Sequence, residues 1–219
     1  DRVQFHDSPT PLFDAYGVEA KITRALDRRV WLKSGGYLVF DQTESLTTVD
    51  VNTGRFVGKQ DQSETVLKTN LEAARTVVQQ LRVRNIGGII VIDFIDMDSA
   101  AHRQQVFDVL QDSARSDKAR SNMLAISDLG LVQMTRKRTR ESLGQLLTTA
   151  CEHCHGSGHV RASQTLAYEA LREVTRRAAT EAPRTAVHLA VHPEVADWLL
   201  DHEVRALRAL GDQLGAPLH

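Results

Sequence analysis

Cysteine is nearly absent from this 219-residue chain, which has two, together with five prolines, three methionines and only 5% aromatic residues. Two cysteines cannot build the disulfide framework that staples small secreted domains. Five prolines and 13 glycines exclude a collagen-like or low-complexity chain. Long apolar runs are missing too. No stretch approaches the roughly 18 residues of a membrane span, and the opening DRVQFHDSPTPLF lacks the basic-then-apolar form of a secretory signal. These absences predict a cytoplasmic chain with no membrane partner. Net charge is also lacking: 27 basic residues against 28 acidic ones leave −1, so any attraction to a polyanion must come from local patches. Only six of the basic residues are lysine, and the arginine that dominates carries a planar fork suited to phosphate.

What is present is an ordinary globular composition, 42% hydrophobic and 25% charged, enough for one large domain or two small ones. The chain begins at Asp1 without a methionine and stops at GAPLH, which suggests a piece of something longer. Apolar periodicity predicts a helix over Val18–Arg29, then a hairpin of YLVFDQ and ESLTTVDV ending in the turn Asn52-Thr53-Gly54. A long amphipathic helix follows from Ser63, placed to cap, to Arg84. IIVIDFID then reads as a strand buried on both faces. Further on, Ala100–Ser116 reads as a helix with Asp98 as its N-cap, and MLAISDLG and GLVQMT as short strands. Gln164–Ala179 is predicted helical, TAVHLAVHP a strand, and Glu194–Leu214 a helix. Strand, helix, strand implies an α/β core with a small α/β domain behind it.

Two aspartates stand at strand ends. Asp50 closes SLTTVD and Asp93 closes GGIIVID, and a carboxylate at the end of an apolar strand needs a partner to offset its burial. Either each caps a turn, or the two meet and hold Mg²⁺, a hard cation bound by one or two carboxylates while keeping its waters. Asn52 is spaced to orient Asp50, though in VNTG it equally suits a turn. Asp96 enriches the acidic cluster. Cys151 and Cys154, the only cysteines, stand in CEHCHGSGHV, and two thiolates at this spacing grip half of a tetrahedral Zn²⁺ site. The other half comes from His153, His155 or His159, or from a second chain, the reading preferred here. A redox pair is the third possibility, although Gly156-Ser157-Gly158 opens no helix. The run Arg136-Lys137-Arg138-Thr139-Arg140 is a solvated basic face or, if it lies beside the aspartates, a grip on a polyanionic backbone.

GGYLVFDQTESLTTVDVNTG, TNLEAARTVVQQLRVRNIGGIIVIDFIDM, GLVQMTRKRTRESL and CEHCHGSGHV together resemble the catalytic region of the ribonuclease E/G family, with MTRKRTRES nearest its ribonuclease G branch. The resemblance implies a magnesium-dependent single-strand endoribonuclease that leaves 5′-phosphate and 3′-hydroxyl ends in ribosomal RNA maturation and mRNA turnover. It implies a DNase I-like mixed sheet with flanking helices over residues 27–148, preceded by the trailing part of an RNase H-like subdomain over 1–26. A zinc link over 149–162 and a small α/β domain over 163–219 complete it. Asp50 and Asp93 fall on the metal-holding aspartates and Asn52 on the asparagine that supports the first. Cys151 and Cys154 fall on the pair that each of two protomers gives to one shared zinc, making a homodimer. Arg120 falls on an arginine that binds the 5′-monophosphate of single-stranded RNA, and Arg136, Lys137, Arg138 and Arg140 are the expected backbone contacts. The family's amino-terminal half, an OB-fold RNA-binding domain and 5′-end sensor, has no counterpart in these residues, so the competing expectation is an inactive zinc-linked RNA-binding scaffold.

Overall fold

The computed structural model describes residues 3–54, 62–180 and 186–219, which divide into two units, Asp1–Thr149 and Ala150–His219. The first unit is built on one six-stranded mixed sheet in the order β1-β2-β3-β4-β6-β5. Its strands are β1 (Arg29–Trp31), β2 (Tyr37–Gln42), β3 (Leu46–Asn52), β4 (Gly88–Asp93), β5 (Ser121–Met123) and β6 (Leu131–Arg136). The helices of this unit are α1 (Leu12–Ala15), α2 (Val18–Leu26), α3 (Gln62–Val83), α4 (Ala100–Arg115) and α5 (Leu143–Leu147). The α/β class and the mixed sheet with flanking helices expected from the sequence are what the structure contains.

Alternation explains the core. Leu38 and Phe40, Val49 and Val51, Ile90 and Ile92, and Val132 and Met134 share one face of the sheet and are buried with Ala73, Val77 and Leu81 of α3 and Val106 and Leu110 of α4 in one cluster. Period-2 strands place every second residue on that face, and the 3.6-residue period of α3 turns its apolar stripe onto it. The predicted hairpin is present, β2 and β3 pairing antiparallel from Tyr37 opposite Asn52 to Gln42 opposite Thr47. β3 and β4 pair parallel, with α3 as the crossover between them, and only such a connection can join parallel neighbours.

Several expectations are corrected. α2 ends at Leu26 because Asp27 is extended, and Arg29 opens a strand instead of finishing the helix. Ser63 lies inside α3, which is described from Gln62. β4 is not buried on both faces: its exposure alternates and Ile89 is 51% exposed, because the helical core covers only the Ile90–Ile92 side. The cap of α4 is Ser99, whose hydroxyl accepts the His102 N–H, and not Asp98. The strand expected in MLAISDLG is Ser121–Met123 instead, paired antiparallel with the far end of β6.

The second unit contains α6 (Ser163–Thr180), α7 (Pro193–His202) and α8 (Val204–Leu214). Ala167, Val195 and Leu199 form its small core. The helix expected over Glu194–Leu214 is two, interrupted at Glu203. TAVHLAVHP, of which Thr185 lies outside the described residues, contributes a single parallel bridge from Val187 to Leu218.

Candidate active site

Parallel pairing brings the two aspartates together. Asp50 is the register partner of Asp93, so two residues far apart in sequence sit side by side at the same end of the same sheet face, about 4.8 Å apart strand to strand. That face is the one away from the helical core, since their neighbours Val49 and Ile92 are buried and both aspartates are exposed. Asn52, two residues on and therefore on the same face, donates its Nδ2 N–H to Asp50 Oδ2 at 2.8 Å. Asp50, Asn52, Thr53, Asp93, Asp96 and Leu129 line an open recess of about 420 Å³.

A second asparagine holds this recess from behind. Asn70 of α3, fully buried, donates Nδ2 to the Ile95 carbonyl at 2.8 Å and accepts the Ile95 N–H on Oδ1 at 3.1 Å. It thereby pins the backbone midway between Asp93 and Asp96. Partial burial, followed by the charges of Asp50 and Asp96, pushes the Asp93 carboxyl above the ordinary range. Among the described residues no Lys, Arg or His forms an ion pair with Asp50, Asp93 or Asp96. Two register-matched hard oxygen donors, with no ion-pair partner among the described residues, fit a divalent cation. No cluster of three or more His, Cys, Asp or Glu side chains suited to a metal occurs among the described residues, so a cation held here would rest on two carboxylates. That fits Mg²⁺, which keeps several waters, better than an ion needing a full protein cage.

The basic run lies elsewhere. β6 runs antiparallel to β4 with Leu131 opposite Asp93 and Arg136 opposite Gly88, five residues away and therefore about 17 Å along the strand. The condition that would have made RKRTR part of the aspartate site is not met. Arg136 itself is 6% exposed and committed: it donates Nε to Asp117 Oδ2 at 2.7 Å and Nη1 to the Ile86 carbonyl at 2.6 Å. Its guanidinium is a core group rather than the RNA contact the run suggested. Burial tends to raise Asp117, but the Arg136 bonds and the Ala119 N–H outweigh it and hold the carboxyl below its ordinary value. Lys137, Arg138 and Arg140 are exposed, and Arg120 joins them because its carbonyl accepts the Lys137 N–H at 2.9 Å. Arg138 also donates to the Gly87 carbonyl.

The cysteines occupy a turn in the second unit. Cys151 is exposed and Cys154 half-exposed, neither in a disulfide. The Ser157 N–H and hydroxyl both bond to the Cys154 carbonyl, and the turn closes through positive φ at Gly156 and Gly158, the conformation glycine adopts without strain. Backbone N–H groups of Gly158 and then Gly156 hold the Cys154 thiol below its usual range, the direction a metal-binding thiolate requires. His153, His155 and His159 are exposed and converge with the cysteines on no three-ligand cluster.

The Ribonuclease E/G family model matches residues 1–139, well over half of the chain. The chain belongs to the ribonuclease E/G family. A second model from the same family, RNase E/G, Thioredoxin-like domain, matches residues 150–218, close to the second compact unit. Ribonuclease G of Salmonella typhimurium is 46% identical over 207 residues, covering 94% of this chain and 42% of that protein. Ribonuclease G of Escherichia coli K12 is 45% identical over the same length and coverage. Ribonuclease E of Escherichia coli K12 is 39% identical over 209 residues, 95% of this chain and 20% of its own length. The chain thus spans about two-fifths of these ribonuclease G relatives. Among the described residues no helix is long and apolar enough to cross a membrane.

Proposed function

We propose that the protein of which these residues form part is a magnesium-dependent endoribonuclease of single-stranded RNA, acting in the cytoplasm in ribosomal RNA maturation and mRNA turnover and leaving 5′-phosphate and 3′-hydroxyl ends. Family membership and the relatives' names support nuclease action on RNA. The observation that carries the location is the register match of Asp50 with Asp93. These two carboxylates would hold Mg²⁺, which when bound supplies Lewis-acid stabilisation of the negative charge that develops on a scissile phosphate. Asn52 fixes one carboxylate through its 2.8 Å bond, leaving the other Asp50 oxygen for the cation. Asn70 fixes the chain carrying the other. The recess is lined by the carboxylates of Asp50, Asp93 and Asp96 and open to solvent, and among the described residues no histidine lines it, so carboxylates and solvent are the groups there that can pass a proton.

The exposed Lys137, Arg138, Arg140 and Arg120 are the remaining candidates for the RNA backbone, Arg120 for a 5′-monophosphate. Their place at the opposite end of the sheet makes them a grip remote from the cut. In the domain scheme that goes with this reading, 1–26 trails an RNase H-like subdomain, 27–148 is the catalytic subdomain, 149–162 the zinc link and 163–219 the terminal domain. Cys151 and Cys154 would share one structural Zn²⁺ with the same pair of a second copy, making a homodimer, because two thiolates fill half of a tetrahedral site.

The test is cleavage of an unstructured A/U-rich oligonucleotide by the full-length protein, with and without Mg²⁺. Asp50→Asn and Asp93→Asn should each remove the magnesium-dependent rate. Retention of that rate within a few fold sinks the assignment. RNA retained but uncut by the 219-residue chain, in the same assay, would favour the scaffold reading for these residues instead.

A further inference from the structure

The open face that carries the aspartates continues across β2 to β1, and what stands there is aromatic and cationic. The register runs Arg29, Val39, Asp50, Asp93 in one row across four strands, and Trp31, Tyr37, Asn52 in the next. Tyr37 is therefore one strand spacing from Asn52, about 4.8 Å, and Trp31 one spacing farther. Trp31 is 66% exposed although it is among the largest apolar side chains of the unit. Its ring meets Tyr37 at 5.3 Å between centroids, tilted by 59°. The Arg29 guanidinium lies over Tyr37 at 4.4 Å and over Trp31 at 5.7 Å, within cation–π range of both.

An exposed tryptophan stabilises nothing by burial. Here it packs against a second ring with a guanidinium beside both, and Arg29 forms no ion pair among the described residues. Ring faces beside an unpaired cation are the features with which proteins hold unpaired bases and their phosphates, since every base has a π-face and every linkage an anion. The carboxylate pair repels a polyanion unless something nearby offsets it. Arg29 supplies positive charge in the same row as Asp50.

We infer that Arg29, Trp31 and Tyr37 form a stacking platform for an unpaired nucleobase of single-stranded RNA adjacent to the phosphate positioned at Asp50 and Asp93. The platform deepens the nuclease reading and rests on it only for the position of the cut; base stacking itself requires no metal. Within a duplex each interior base is covered by its stacked neighbours and has no face free for Trp31, so the platform favours single strands at the site of cleavage.

The experiment uses the 219-residue chain in a Trp198→Phe background, so that Trp31 is the sole tryptophan and can be excited apart from the tyrosines. An unstructured ten-nucleotide A/U RNA is titrated in EDTA, which prevents cleavage, and a blunt duplex of the same length is the control. Quenching of Trp31 by the single strand and not by the duplex is expected. Affinity, read by anisotropy of labelled RNA, should fall roughly 5- to 150-fold in Trp31→Ala, the effect of one lost base stack, and return toward wild type in Trp31→Phe. Arg29→Met should weaken binding and flatten its salt dependence. Absence of quenching, equal quenching by the duplex, or unchanged affinity in Trp31→Ala overturns the inference. Trp31 and Arg29 are exposed on an edge strand, so these variants keep the core. The two readings can fail separately: a platform that quenches while Asp93→Asn still cuts refutes the metal assignment alone, whereas lost cleavage in Asp93→Asn with no response from Trp31 refutes the platform alone.

Discussion

Replacing Asn70 with leucine tests whether the candidate site is held by its backbone clamp. Leucine keeps the side-chain volume and removes both bonds to Ile95, leaving an N–H and a carbonyl without the partners they have at 3.1 and 2.8 Å. An abandoned backbone group costs about 1–3 kcal/mol when buried. Ile95 is half-buried, so water can reach part of it, and the expected loss for the first unit is about 2–4 kcal/mol. That is a large share of the roughly 5–15 kcal/mol that a domain possesses. The assay is urea unfolding in the Trp198→Phe background, where Trp31 reports on the first unit alone. At a urea slope of about 2 kcal/mol/M the midpoint should fall by about 1–2 M. Hydrogen exchange should quicken first at Ile95 and Asp96, and in the full-length protein Mg²⁺-dependent cleavage should drop even where the fold persists. A midpoint within about 0.3 M of the parent with unchanged exchange at Ile95 would refute the clamp and make Asn70 an ordinary core residue.

Three further outcomes follow from the same structure. Asp117→Ala should destabilise the first unit by about 3–5 kcal/mol, measured by urea midpoint, because it strands the buried Arg136 guanidinium. Since the folded state holds Asp117 below the unfolded value of about 3.9, its contribution is complete above that pH and disappears as pH falls through the depressed folded value; the acid limb of a stability–pH profile should flatten in the variant. Gly36→Ala should disturb the site more than the fold, because a Cβ there would stand 2.6 Å from the Asn52 carbonyl, and cleavage by the full-length protein should fall further than its melting temperature predicts. Sedimentation with metal analysis should find about half a zinc per chain and dissociation of the dimer in Cys151→Ser, Cys154→Ser, and one zinc per chain or a persistent tight dimer would move the ligands to the loop histidines.

The aspartate pair was legible as one of two alternatives, because each residue closes a mainly apolar strand and the helix between them is long enough for a parallel crossover. The role of Asn70 was equally inscribed and overlooked: position 70 falls on the stripe of Val66, Ala73, Ala74 and Val77, and a polar residue on an apolar stripe must find a partner inside. Arg136 was misread for a related reason. Charge clustering suggested a surface run, whereas period 2 from Val132 through Met134 already carried position 136 onto the buried face. The exposed side of β4 was not readable, because a continuous apolar run specifies burial without saying how many layers cover it. Nor did any local pattern mark β1, three residues long and made by pairing with Tyr37–Val39 rather than by its own periodicity.

The parallel pairing of β3 with β4 has a temporal consequence. Asp50 and Asp93 are 93 − 50 = 43 positions apart and meet only after α3 has folded back across the sheet. Closing a loop of that length forfeits roughly 3 kcal/mol of chain entropy before the second strand returns anything. No short segment emerging from a ribosome can assemble the carboxylate pair, and a chain halted before residue 93 carries at most half of it. Whatever chemistry the paired carboxylates serve is therefore assembled late, as a property of the folded sheet and not of either strand.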